Sequence, residues 1–333
     1  MVGSVASGPM MLELGQRVTI LATLPFAAVG WMLLVFSQRV WLLIVARVIL
    51  GAVSGIFGGP SNNFVAEISH SSVRGRLAGM LDLFRQLGFL FVYVIGSTNL
   101  TWRQTCMVCG CTTTVIPFLA LWYIPNSPRW LVSRLRLSEA RESLLFYRGK
   151  NYCIDNELEE INYQLQSTAK KNSSVKEQLR NLSNRSILKR VSLLSLLFSA
   201  YQFSGNFSMM LFSVTIFQSV DSHISEYTST IIVGGVRVIA VFSYILMADK
   251  LGRRILLISA LILSGLSISV VGGYFFVRNL DYAMKPYSWI PLLALSVFVY
   301  FTCIAEPIIM LLRGELLPTS FRPLGTSIVT VFF

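Results

Sequence analysis

Residues 255–277, "ILLISALILSGLSISVVGGYFFV", contain no charged side chain. Runs of this kind recur along the chain, near 18–36, 40–65, 78–98, 104–124, 191–218, 227–247, 255–277 and 287–312. Each is about 20 residues or longer, enough for a helix to cross the ~30 Å of a bilayer's hydrocarbon. No other feature restricts the fold as much. In hydrocarbon every backbone polar group needs an internal partner, which leaves helices and closed barrels, and runs this continuous are helical. Composition agrees. The 333 residues are 54% hydrophobic and 13% charged, against about 25% charged in a soluble domain. The mean hydropathy is +0.63. The chain reads as an all-α membrane protein. Gly51, Gly55, Gly88, Gly234 and Gly235 fall inside the runs, where small residues let helices approach closely.

Residues 1–12, "MVGSVASGPMML", are too short to span, and 324–333, "LGTSIVTVFF", stop partway through an apolar run. Both read as pieces of helices, giving about eight full spans plus two partial ones. No basic segment precedes the first apolar stretch, so no signal peptide is expected. Lysines and arginines set the orientation. Of 28, 21 fall in the segments 13–17, 67–77, 125–190, 248–254 and 313–323, and only Arg39, Arg103, Arg278 and Lys285 in the alternate ones. Basic loops stay on the cytoplasmic side. The net charge of +12 is therefore mostly a topology signal, and nucleic acid is not an expected partner. The lipid bilayer is. Cys106, Cys109 and Cys111 crowd together as "CMVCGC", but in an apolar span with no histidine nearby they read as packing. Cys153 is expected in the cytosol and reduced. No catalytic constellation, metal site or cofactor motif is visible. "NLT" at Asn99 is a glycosylation sequon close to the outer membrane surface.

The polar breaks repeat. "EISHSSVRGRL" (67–77) places Glu67 seven residues before Arg74, and "GELLPTSFRP" (314–323) places Glu315 seven before Arg322. "ELGQR" (13–17) is echoed by "DKLGRR" (249–254). The offsets, 248 and 236 residues, are close enough to indicate an internal duplication. Parallel halves of this kind occur in transporters.

At these residues the chain resembles the sugar porters of the major facilitator superfamily, most of all the insect facilitated trehalose transporters. "ARVILGAVSG" (46–55) followed by Glu67 and "VRGRL" resembles the family's fourth and fifth helices, and "PNSPRWLV" (125–132) its signature after the sixth. "LSEARESLLFYRG" (137–149) is similar to the helix that follows. "YQFSGNFSMMLFSVTIF" (201–217) is similar to the seventh helix, and "DKLGRR" and "GELLPTSFRP" to the loops after the eighth and tenth. The resemblance implies the major facilitator fold, with two helical halves joined by a cytosolic helical linker. It maps 1–124 to the N-terminal half (helices 2–6, the first incomplete), 125–190 to the linker and 191–333 to the C-terminal half (helices 7–11, the last incomplete). On that map 1–333 alone is expected not to transport, because the pathway would stand open to lipid.

The resemblance also assigns roles. Arg17, Glu67 and Arg74 in one half, and Asp249, Arg253, Arg254, Glu315 and Arg322 in the other, would be charges that pair when a cytoplasmic gate closes. Arg47 is placed at the cytoplasmic end of its helix and joins them. Gln16 stands where the family has an arginine. The sugar would be held by Gln202, with Tyr201, Asn206, Asp82 and Pro307 at the other positions that match its site. Amides suit a hydroxyl-rich ligand because they both donate and accept. Departures are plain. "YQ" replaces two glutamines, Phe207 stands where an asparagine is usual, with Asn206 about 100° round the helix, and "EPIIM" (306–310) replaces a glycine-proline-isoleucine-proline-tryptophan run. Asp82, Arg85, Arg237 and Glu306 are charges inside spans, where each costs about 2.5–3.5 kcal/mol on insertion scales. Asp82 and Arg85, three apart, can neutralise each other. Either these charges serve an altered substrate or proton coupling through Asp82 or Glu306, or they are tolerated near helix ends.

In the linker, "SEARESLLFYRG" and "DNELEEINYQLQ" carry apolar residues at helical spacing. Ser138 is a candidate N-cap, and Pro128 a helix start. The polar stretch 167–186 is a connector or a regulatory loop. The function implied is transport of trehalose or a hexose by alternating access, facilitated or proton-coupled, in a multi-pass protein of the plasma membrane and without enzymatic chemistry. A non-transporting sugar sensor or inactive paralogue is the alternative, and an organic-ion carrier of the same superfamily a third. The shared spacing predicts that cysteines placed at 70 and 319, with the native cysteines removed, react with an impermeant reagent only after the membrane is opened. Labelling of either in intact cells would show that the two breaks do not share the cytoplasmic side.

Overall fold

The computed structural model describes residues 2–70, 73–149, 154–171, 185–220, 225–280 and 287–316. Among them the chain is helical, and no strand occurs. The order is α1 (Val2–Leu14), α2 (Gln16–Phe36), α3 (Val40–Ile68), α4 (Arg74–Gly96), α5 (Trp102–Tyr123), α6 (Pro128–Ser133), α7 (Leu137–Arg148), α8 (Ile154–Lys171), α9 (Arg185–Phe203), α10 (Asn206–Leu211), α11 (Ser213–Gln218), α12 (Glu226–Leu251), α13 (Arg253–Arg278) and α14 (Ile290–Leu316). Seven of the described helices, α2–α5 and α12–α14, contain segments long and apolar enough to cross a membrane. Their outward faces keep large apolar side chains exposed, Phe26, Trp41, Phe84, Ile116 and Phe276 among them, as surfaces meant for lipid do.

The helices form two compact units. One comprises residues 1–78 and 99–172, the other 79–98 and 173–333. In the first unit α2 packs on α3 and α5, and α1 packs on α3. The α1–α3 contact depends on small residues. A Cβ added at Gly3 would lie 2.1 Å from the Ala52 carbonyl oxygen, and one at Gly55 would lie 3.0 Å from the Ser4 nitrogen. Close backbone approach of this kind is how membrane helices associate where burial from water contributes nothing. The linker helices belong to this unit. Leu131, Val132 and Ala140 are buried against Trp130, Leu158, Ile161 and Leu165. Ser127 caps α6 and Pro128 is its first residue. Ser138 does not cap α7. The helix begins one residue earlier, its cap position is Arg136, and the Arg136 guanidinium grips Glu139 at 2.6 and 2.7 Å.

In the second unit α14 is the central element. It packs on α12 and α13 and touches α9. The buried core joins Leu194, Phe198 and Tyr201 of α9 to Val241 of α12, Leu257 of α13 and Phe298, Ile304 and Ile308 of α14. The apolar run at 191–218 is not one helix. Gly205 adopts φ 81°, ψ 9°, a left-handed conformation that costs other residues about 1–2 kcal/mol. The helix stops at Phe203 and restarts at Asn206. Phe212, at φ −102°, ψ 14°, interrupts it again.

Gly205→Ala should therefore lower the protein's thermal stability in detergent by about 1 kcal/mol. Gly265→Ala, whose added methyl meets open space on α13, should not lower it. Equal effects would remove the left-handed turn as the cause of the break.

Candidate functional site

Polar side chains in a membrane-length helix must face protein or pair, so the second unit's site can be built from them. α4 contributes Asp82, Arg85, Gln86 and Tyr93. α14 contributes Thr302 and Glu306, α12 contributes Arg237, α9 Tyr201 and α10 Asn206. Arg85 is the junction. Its Nη1 donates to Glu306 Oε1 at 2.7 Å and its Nη2 to Asp82 Oδ1 at 2.9 Å. The expected intrahelical pair is thus present, but Arg85 also reaches a carboxylate 221 residues away. Glu306 is almost wholly buried, its side chain 7% exposed, and Arg85 keeps 42%. Pro307 is buried within α14 beside Glu306.

Arg237 forms the second junction. It is 3% exposed. Its Nε donates to the Gln86 Oε1 at 2.8 Å, and its guanidinium lies over the Phe89 ring, 5.3 Å from the centroid. Asn206 completes the group. Because the chain turns at Gly205, the Asn206 amide returns toward α9 and donates to the Tyr201 hydroxyl at 2.8 Å. Its Oδ1 accepts from Thr302 Oγ1 at 3.2 Å. Tyr93 donates to the Met210 carbonyl at 3.1 Å. Of the residues expected to hold ligand, Tyr201, Asn206, Asp82 and Pro307 all stand in this unit around α14. Gln202 stands one position past the buried Tyr201 and is exposed. Sequence reading did not name Thr302, Gln86 or Tyr93 as site residues. A lone polar residue in an apolar run was the available signal for each.

The first unit gathers its polar groups at the C-terminal ends of α1, α3 and α5. Arg17 donates to the carbonyls of Leu121 and Trp122 at 2.8 and 3.1 Å. Ser127 donates a short hydrogen bond to Glu67, and buried Gln16 presents an oxygen with no donor. Arg148 pairs with Glu157 at 2.7 Å and donates to the Ile68 carbonyl at 2.8 Å. Arg134 donates to the Leu12 carbonyl at 2.7 Å. Tyr147 donates to the Pro125 carbonyl at 2.8 Å, and burial raises its phenol's pKa above the ordinary range. These contacts fasten the linker helices to the ends of the spans.

Arg47 needs correction. It lies twenty positions before Glu67 on the unbroken α3, about 30 Å along the axis at 1.5 Å per residue. It belongs to the opposite end and cannot join a cluster with Glu67. Arg253 and Arg254 are exposed at the start of α13. The side chains of Arg74, Asp249 and Glu315, and all of Arg322, lie outside the described residues.

The whole chain resembles known proteins. The family model described as "Sugar (and other) transporter" matches residues 1–332. The facilitated trehalose transporter Tret1 of Apis mellifera ligustica is 32% identical over 100% of this chain, and the chain spans 65% of that protein's length. Its counterpart in Culex quinquefasciatus is 34% identical, over 100% of the chain and 64% of the relative. The chain thus spans a little under two thirds of these relatives. Among solved structures, the inward-open xylose transporter of E. coli matches with a TM-score of 0.78 at 17% identity, over 99% of this chain and 73% of that one. At that identity the likeness concerns the fold.

Removing Arg85 should expose the strain the pairing relieves. Breaking a buried pair from one side costs about 3–5 kcal/mol, and Arg85's partial exposure places Arg85→Gln near the lower limit, about 3 kcal/mol. Asp82→Asn, which removes the more exposed partner, should cost below about 1 kcal/mol. Thermal unfolding in detergent orders the two, and the reverse order would mean that Glu306 does not depend on Arg85.

Proposed function

This chain belongs to the sugar transporter family, and on that premise we propose that the protein carries a sugar, trehalose or a hexose, across the plasma membrane by alternating access. The observation that supports the reading is the linked set of buried Tyr201, half-buried Asn206 and buried Thr302, three hydrogen-bonding side chains from α9, α10 and α14 within a unit of apolar helices. Donors and acceptors side by side suit hydroxyl groups. In this reading 1–124 and 191–333 are the two halves and 125–190 their linker. α4 belongs by sequence to the first half and packs with the later helices, so the contacts Arg85–Glu306 and Arg237–Gln86 would break and re-form in each cycle. Protons are a candidate co-substrate, with Asp82 or Glu306 as carrier. Arg17, Glu67, Arg74, Asp249, Arg253, Arg254, Glu315 and Arg322 are proposed to act at the cytoplasmic gate. No bond is made or broken in such a cycle, so no enzymatic activity is proposed.

A sensor that binds without carrying is favoured by one observation: Glu306, in the stretch that departs most from the family's pattern, is held by an ion pair rather than presented to a ligand. Labelled trehalose and glucose offered to cells expressing the intact protein separate the readings. Saturable uptake, blocked by excess unlabelled sugar, is expected, whereas binding without uptake would establish the sensor. In the purified protein Gln202→Ala should weaken sugar binding several-fold, since a lost hydrogen bond costs about 0.5–1.5 kcal/mol. Unchanged affinity with an intact melting transition would move the site away from Gln202.

A further inference from the structure

Arg85, Arg237, Asp82 and Glu306 lie inside membrane-length helices of the second unit, and their pairing is uneven. Arg85 takes both carboxylates, Asp82 at 2.9 Å and Glu306 at 2.7 Å. Arg237 takes neither. Its contacts are a neutral amide oxygen on Gln86 and the face of Phe89, and its Nη1 is buried with no acceptor at all. A ring face and an amide dipole offset part of a guanidinium's charge, but a buried cation without an anion is among the costliest arrangements a fold keeps. Gln86 is itself 1% exposed, so its hydrogen bond fixes the guanidinium plane from one side and leaves the Nη1 edge unsatisfied.

Two of the polar groups of the candidate site interact electrostatically with Arg237. The Tyr201 hydroxyl is within electrostatic reach of Arg237, Arg85 and Glu306, and Tyr93 is within reach of Arg237. Asn206 bonds Tyr201 directly and Thr302 bonds Asn206. A ligand whose hydroxyls engage Tyr201 and Asn206 would thus carry its next substituent toward Arg237. The group that suits an unpartnered guanidinium edge is a carboxylate, which accepts from a planar fork with both oxygens. The protein's own carboxylates do not compete for it, because Arg85 already holds them.

We propose that Arg237 binds a carboxylate on the transported molecule, and that the preferred substrate is a sugar acid, a hexuronate or an aldonate, over a neutral sugar. The inference rests on the sugar-transport reading and names its substrate class. The two fail differently in one experiment. The purified protein is titrated with glucuronate, glucose, trehalose and acetate, following intrinsic fluorescence, with the melting transition of each sample as the measure of folding. Glucuronate should bind at least ten-fold more tightly than glucose, and acetate should have no effect at the same concentration. In Arg237→Gln the ratio of glucuronate to glucose affinity should fall to near one, and Arg237→Lys should retain part of it. Equal binding of glucuronate and glucose by the unmodified protein would overturn the proposal and leave the sugar reading intact, as would binding of neutral sugars alone. Acetate binding as well as glucuronate would mean a carboxylate ligand without a sugar, and would overturn it too. Silence from every sugar would remove the sugar reading together with this inference. A preference for glucuronate that survives in Arg237→Gln would assign the carboxylate to another residue.

Discussion

The second unit depends on one guanidinium. Asp82 and Glu306 are carboxylates in segments built to lie in hydrocarbon, and Arg85 contacts both. A charge at a bilayer's centre costs about 2.5–3.5 kcal/mol on insertion scales. Two uncompensated carboxylates would therefore cancel much of the 5–15 kcal/mol by which folded proteins are typically stable. Pairing removes that difficulty and creates a second effect. Because Asp82 is on α4 and Glu306 on α14, the ion pairs tie the two helices at a defined height. The apolar core around Ile304, Ile308 and Phe298 contributes attraction without direction. Arg85 supplies the register.

The first unit solves a different problem with the same residue types. Its spans end in carbonyls that no further helical turn satisfies. Arg17 serves the end of α5, Arg148 the end of α3 and Arg134 the end of α1. Helix C-termini carry partial negative charge, so arginine is apt there on electrostatic grounds as well. The consequence is that α6 and α7 are fastened to the ends of α1 and α3, and α8 to α7 through Arg148–Glu157. The linker is thus held at those ends by hydrogen bonds as well as by apolar contact. Glu67 is bonded to Ser127 at the entry to α6.

Much of this architecture was legible in the sequence because hydrocarbon thickness sets helix length and so makes apolar runs nearly self-delimiting. The runs at 18–36, 40–65, 104–124 and 255–277 agree with α2, α3, α5 and α13 within a few residues. Local pairing was legible too, since Asp82 and Arg85 are a helical turn apart. The long-range partner was not. Nothing in the residues around Arg85 points to Glu306, because the two residues lie 221 positions apart, on α4 and α14. The break at Gly205 was hidden by composition: Ser204 and Gly205 are small and pass for ordinary span residues, although the turn is what returns Asn206 to Tyr201. Arg47 was misplaced because a motif fixes neighbours in sequence but says little about which end of a 29-residue helix they occupy. Ser138 has no capping role because α7 already begins at Leu137, with Arg136 at the cap position.

The claim that Arg85 and Glu306 stabilise the unit by pairing with each other, rather than by separate contributions, has a direct test. A double-mutant cycle with Arg85→Ala, Glu306→Ala and the double variant, read as unfolding free energies in one detergent, isolates the interaction. The structure predicts that the double variant is less destabilised than the two single variants together, by at least about 1 kcal/mol, because the second substitution removes a charge that the first left unpaired. Effects that simply add, to within about 0.5 kcal/mol, would contradict it.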